Sequence, residues 1–110
     1  MTTWSVHTLN STVDQELEDL PADIRSRFVR VSGLLEQFGP QEVGMPHIKS
    51  LGAKFWEIRV SGKDGIARGI YIHASGKRMI VLHVFIKKTQ KTPPAALEMA
   101  TRRAKQANLI

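Results

Sequence analysis

FWEIRVSGKDGIARGIYIHASGKRMIVLHVFIKK, residues 55–88, is the stretch on which the fold turns. In FWEIRV, Trp56, Ile58 and Val60 alternate with Phe55, Glu57 and Arg59, the period-two pattern of a strand with one polar face. Residues 61–65 make a turn, IARGIYIH (66–73) follows as a second strand, and residues 74–77 turn again. RMIVLHVFIKK (78–88) is apolar on both faces, which suits a strand covered from both sides. Three strands joined by short turns predict an antiparallel meander.

The flanks are helical. WSVHTL (4–9) is a short first strand, ended by the helix-start signal Asn10-Ser11, after which Val13, Leu17 and Leu20 recur at helical spacing. Beyond Pro21, Ile24, Phe28, Val31, Leu35 and Phe38 follow at intervals of 4, 3, 4 and 3, until Gly39-Pro40 stops the helix. Prolines and glycines mark residues 40–54 as a loop. At the other end, Thr92 is placed to cap a helix with Pro93 at its first position. Leu97, Ala100, Ala104 and Ala107 form its apolar stripe, and Arg102, Arg103 and Lys105 its polar side. The prediction is one small α+β domain over residues 1–110, an antiparallel sheet with an N-terminal helical hairpin on one face and a C-terminal helix.

Composition narrows the chemistry. With 110 residues and 42% hydrophobic side chains the chain supports one modest core. It has no cysteine, hence no disulfide framework or thiolate metal site, as expected of a cytoplasmic protein. MTTWSVHTLN has no charged leader with an apolar run, and no segment reaches membrane-spanning length. Phosphate-binding glycine loops and the G-x-S-x-G elbow are missing, and His7, His47, His73 and His83 are scattered, so neither metal nor cofactor is expected. Charge is polarised. Residues 1–46 carry three arginines against seven acids, whereas residues 47–110 carry thirteen Lys/Arg against three acids. The basic half suits a polyanion such as nucleic acid, or is an ordinary solvated surface.

The meander also gathers cations. If Ser75-Gly76 is a two-residue hairpin turn, Ala74 pairs with Lys77 and Arg68 faces His83. Arg68, His83 and Lys87 then share one face, because side chains alternate. Arg68 lies between Ile66 and Ile70, where a guanidinium needs a partner. Two readings follow from the pattern: a structural ion pair, with Glu57 as the carboxylate, or a cation awaiting an anionic ligand.

Several motifs carry a resemblance. P-H-I-K-S-L (46–51), F-W-E-I-R-V-S-G-K-D-G-I (55–66), A-R-G-I-Y (67–71) and S-G-K-R-M-I-V-L-H-V-F-I-K-K-T-Q-K-T-P (75–93) resemble the phage-derived, HigB-type branch of the RelE/ParE toxin superfamily. The resemblance implies the RelE-like fold and a type II toxin working beside a cognate antitoxin, expected to be a helix-turn-helix protein that forms a hetero-oligomer with it. In the RelE and HigB branches it implies cleavage of mRNA on the ribosome through 2′-OH attack on the adjacent phosphate. ParE relatives instead poison DNA gyrase, which is the alternative function. Arg68 matches the family's strand arginine, the implied phosphate clamp, and Lys87 and Lys88 match its basic residues after the last strand. His83 is a reserve acid/base. Arg59, Lys54, Lys63, Lys91, Arg102 and Arg103 are the further candidates for RNA contact. One departure stands out. Pro93, Pro94 and Ala95 occupy the neighbourhood where several RelE-type enzymes have an aromatic residue, and the only tyrosine, Tyr71, is on an earlier strand.

Overall fold

Residues 3–87 and 91–110 are described by the structure, a computed structural model of the chain. Strand β1 (Ser5–Thr8) leads into helices α1 (Ser11–Glu18), α2 (Ala22–Phe38) and the short α3 (Pro40–Val43). Strands β2 (Ile48–Gly52), β3 (Phe55–Gly62), β4 (Gly65–Ala74) and β5 (Arg78–Lys87) follow, and α4 (Pro94–Gln106) closes the chain. The sheet runs β1-β5-β4-β3-β2.

This is the α+β architecture expected, with two corrections to the sheet. Part of the stretch read as loop forms β2, an edge strand on β3 with Ile48 opposite Ile58. And the sheet is not wholly antiparallel: β1 pairs in parallel with β5, Ser5 opposite Arg78 and Thr8 opposite Val81.

Two cores sandwich the sheet. On one side α1 and α2 bury Val13, Ile24, Phe28, Val31 and Leu35 against Ile58, Val60, Tyr71, Val81 and Val84. Phe38, at the end of the α2 stripe, is instead about half exposed. Phe28 packs so closely over Gly69 that a Cβ there would lie 2.5 Å from its Cζ, so the backbone of β4 must be bare at that point. On the other side α4 lays Ala96, Ala100 and Ala104 on Phe55, Ile70, Ile72, Ile80 and Leu82. Small residues let the helix axis approach the sheet. Ala96 takes the place in the stripe predicted for Ala107, which is exposed. Asn10 caps α1 as its sequence suggested, its side chain accepting the Val13 amide at 3.1 Å. Thr92 does not cap α4: Pro93 is the N-cap residue, Pro94 opens the helix, and the Thr92 hydroxyl is used elsewhere.

The β4–β5 register also differs from the expected one. Ser75, Gly76 and Lys77 form a three-residue turn, with Gly76 and Lys77 both in the left-handed region (φ +74° and +57°), so Ala74 pairs with Arg78. A bulge between Ile70 and Tyr71 shifts the ladder once more, so Arg68 faces Phe85 and His83 faces Ile70. The two shifts together amount to two residues, which preserves the face. Arg68, His83 and Lys87 therefore still point to the α4 side.

Candidate functional site

The site is built on the α4 face of β3, β4 and β5. Glu57 and Arg59 alternate onto that face of β3, and the register sets Arg59 beside Arg68 and Glu57 beside Ile70. Glu57 and Arg68 are thus diagonal neighbours, and both are fully buried. Arg59 Nε lies 3.0 Å from Glu57 Oε1, and the Thr92 hydroxyl donates to Glu57 Oε2. Arg68 Nη1 donates to the Lys91 carbonyl at 3.0 Å. Arg59 thus pairs with Glu57 while Arg68, its cross-strand neighbour, feels the same negative charge, and Arg68 and Glu57 hold residues 91 and 92 where the chain turns into α4.

Burial depresses the pKa of Arg68, Glu57 opposes that shift, and Arg59 adds to it. The side chain stays cationic, as guanidinium does, but its charge is held at a desolvation cost that Glu57 only partly offsets. Arg68 thus lies within the influence of the Glu57 charge and does not reach solvent in this arrangement. Lys87, two residues beyond Phe85 on the same face, is exposed, and so is Lys91. Lys88 lies outside the described residues.

A second cluster borders the first where β1 ends. Leu9 donates its amide to Val81, and beyond that point β5 has no strand on its outer side among the described residues. Side chains take over. Glu16 of α1 accepts the Val84 amide and His83 Nδ1, each at 3.0 Å, while Arg103 of α4 donates to the Leu82 carbonyl at 2.9 Å and to both Glu16 oxygens. Burial alone would push the Glu16 carboxyl up, but Arg103, Val84 and His83 outweigh it and hold the pKa below the ordinary value. His83 stacks on Phe85 with ring centroids 5.0 Å apart and keeps a partly exposed side chain. A carboxylate bonded to one imidazole nitrogen fixes ring orientation, the arrangement that prepares a histidine to carry protons.

The structure therefore brings Arg59, Arg68, Lys87 and Lys91 together, with His83 alongside. Lys63, exposed in the β3–β4 turn, lies at the same end of the sheet. Lys54 does not join them: it sits in the turn at the other end of β3, roughly 17 Å from Arg59 along the strand. Arg102 is exposed on the outer side of α4, whereas Arg103, expected on that polar side, folds inward to Glu16. Tyr71 faces the α2 core, away from this site. Its hydroxyl is buried without a hydrogen-bond partner among the described residues, and burial pushes its pKa well up. Sequence reasoning missed Glu16 and Thr92. Neither has a local signature, because each finds its partners only through the tertiary fold.

Comparison with known proteins places this geometry. The family described as phage-derived protein Gp49-like (DUF891) matches residues 15–105. The chain belongs to this family. No curated protein sequence matches it. Among solved structures, a mutant of the E. coli toxin RelE in the free state superposes on the Gp49-like chain with a TM-score of 0.66, at 10% identity, covering 92% of this chain and 97% of that one. The archaeal RelE–RelB complex from Pyrococcus horikoshii gives a TM-score of 0.54 at 21% identity, covering 83% and 100%. At these identities the likeness is one of fold: the Gp49-like chain has the RelE-like architecture, with N-terminal helices, a five-stranded mostly antiparallel sheet and a C-terminal helix. Among the described residues no helix is long and apolar enough to cross a membrane.

Proposed function

We propose that this Gp49-like protein is the toxin of a type II toxin–antitoxin pair and an endoribonuclease that cuts mRNA on the ribosome. One observation carries the reading: Arg59, paired with Glu57 at 3.0 Å, and the fully buried Arg68 beside it lie on one sheet face, with Lys87 and Lys91 exposed nearby. The local charge is positive, at one end of a sheet open to a strand of RNA. The RelE–RelB complex supports an antitoxin as the partner.

In the proposed reaction the 2′-oxygen of one nucleotide attacks the adjacent phosphorus, and the P–O5′ bond breaks. The products are a 2′,3′-cyclic phosphate and a 5′-hydroxyl. The 2′-hydroxyl proton must be removed, the phosphorane's negative charge stabilised, and a proton delivered to O5′. His83, oriented by Glu16, is the proton acceptor in this reading. Lys87 and Lys91, with the Arg59 side chain, meet the phosphate, and Lys87 delivers the proton to the leaving oxygen. Arg68 works from beneath. By gripping the Lys91 carbonyl it fixes residues 91–92 beside Lys87, which makes it a positioning residue in place of the direct phosphate clamp implied by the family resemblance.

The test is induction of the chain in cells, with mapping of new 5′-hydroxyl mRNA ends against ribosome position. Growth arrest with ribosome-phased ends, relieved by the product of an adjacent antitoxin frame, is expected. Arrest with intact mRNA and inhibited gyrase would replace the nuclease by the ParE-like inhibitor. Normal growth with abundant soluble protein would reject the toxin reading altogether.

A further inference from the structure

A groove of about 430 Å³ opens on the outer edge of β3, lined by residues of α2, the Pro46-His47 segment and the β3–β4 hairpin. It exists because β2 begins only at Ile48, opposite Ile58. His47 substitutes for a strand partner for one further residue, its carbonyl accepting the Arg59 amide at 2.7 Å. Past that point the edge is met by a helix: Arg27 Nη1 donates to the Ser61 carbonyl at 2.6 Å. Arg30, one position short of a full turn further along α2, is exposed and makes neither a hydrogen bond nor an ion pair among the described residues. Arg25 differs, being tied to the Glu18 carbonyl at 2.9 Å and facing its carboxylate.

The lining combines Arg27, Arg30 and His47 at the rim with Leu34, Val60 and Ile66 beneath, and includes no acidic side chain. We infer that this groove binds one nucleotide of an RNA chain, the phosphodiester on Arg27 and Arg30 and the base on the apolar floor. Three features favour that occupant. The volume lies in the range of small-ligand sites, which suits a nucleotide. Guanidinium groups offer forked donors to phosphate oxygens and, with an apolar surface, a platform that accepts any base. And the groove is continuous with the candidate site around the β3 edge: Arg59 lines both, and Ile66 pairs across the sheet with Lys87. A strand of RNA leaving Lys87 crosses this edge next. The inference rests on the RNA reading above only for the identity of the polymer.

The experiment measures binding rather than cleavage. A fluorescein-labelled hexaribonucleotide is titrated with the full chain by anisotropy, alongside uridine and adenosine 5′-monophosphates, for the native protein and for Arg30→Glu and Arg25→Glu. The two substitutions change net charge equally, but only the first lies in the groove. Arg30→Glu is expected to weaken hexamer binding at least tenfold and to flatten its log–log salt dependence by about 0.7 or more, while Arg25→Glu stays within twofold of native. Circular dichroism and melting of both variants verify that each is folded. Equal losses in the two variants would reduce the groove to bulk charge and overturn the inference. So would a monophosphate that binds as tightly as the hexamer, or an Arg30→Glu variant that keeps RNA affinity and loses antitoxin. Groove-dependent binding without mRNA cleavage in cells would reject the nuclease and leave the groove standing.

Discussion

Replacing Arg68 by methionine separates its structural from its functional part. The guanidinium is fully buried, and burial lowers its pKa despite Glu57, so the charge itself adds little net stability in this setting. Removing it does not orphan the carboxylate, because Arg59 Nε and the Thr92 hydroxyl still meet Glu57. Methionine fills most of the volume, which avoids the cavity that alanine would leave. What is lost is the charge-assisted hydrogen bond to the Lys91 carbonyl, worth about 1.5–3 kcal/mol. That loss is offset in part by the released desolvation, and the variant is expected to remain within about 1.5 kcal/mol of native, a shift in Tm of roughly 10 °C or less. Lys91, however, loses this tether. If its full free energy holds Lys91 beside Lys87, the organised state falls by about ten- to a hundredfold, and mRNA cleavage with it. Arg68→Ala is the contrasting variant, destabilised by a further 2 kcal/mol or so through its cavity. The assays are thermal denaturation and quantified 5′-hydroxyl ends after induction. A methionine variant that melts like native and cuts equally well would refute the positioning role. One that collapses by 20 °C would refute the charge balance worked out here.

Three further outcomes are expected. Glu16 has a folded pKa below its ordinary 4.5, so its contribution is complete above that value and is lost as pH falls below it and through the lowered folded pKa. The Glu16→Gln variant should therefore be less stable than native at neutral pH, by about 1.5 kcal/mol, with the difference shrinking in acid; a constant difference from pH 7 to 3 would contradict this. Gly69→Ala drives a methyl group into Phe28 and should cost about 2 kcal/mol, read as a lower denaturant midpoint with unchanged slope. Binding of single-stranded RNA should weaken with salt at a log–log slope near −3, as about four engaged cations require, and a flat response would mark the basic half as mere solvated surface.

Elements with their own periodicity were legible. The 4-3-4 spacing from Ile24 to Leu35 predicts α2, whose buried residues are those positions, and the alternation in FWEIRV predicts β3. β2 was hidden because it is a five-residue edge strand with only Ile48 buried, too little for a pattern. The parallel β1–β5 pairing joins segments some seventy residues apart, and nothing local encodes it. The hairpin register depended on Lys77, since a lysine in left-handed backbone gives no warning in composition. For the site, the shared face of Arg68, His83 and Lys87 followed from alternation together with an assumed hairpin register, and it survived the two shifts in that register. The partners that residues 91 and 92 supply did not follow, because the Lys91 carbonyl reaches Arg68 and the Thr92 hydroxyl reaches Glu57 only by folding back from beyond the sheet.

The Glu16–Arg103 joint couples the first helix to the last across 87 positions. On a ribosome the chain emerges from its N-terminus, so β1 to β5 and Glu16 are all outside before Arg103 arrives. Until then the Leu82 carbonyl lacks its cap, and the outer margin of β5 is half sealed, a strand edge of the kind that recruits other strands. The covering of this margin therefore comes only after every strand of the sheet has emerged, and a chain cut short before Arg103 would carry the sheet without its seal.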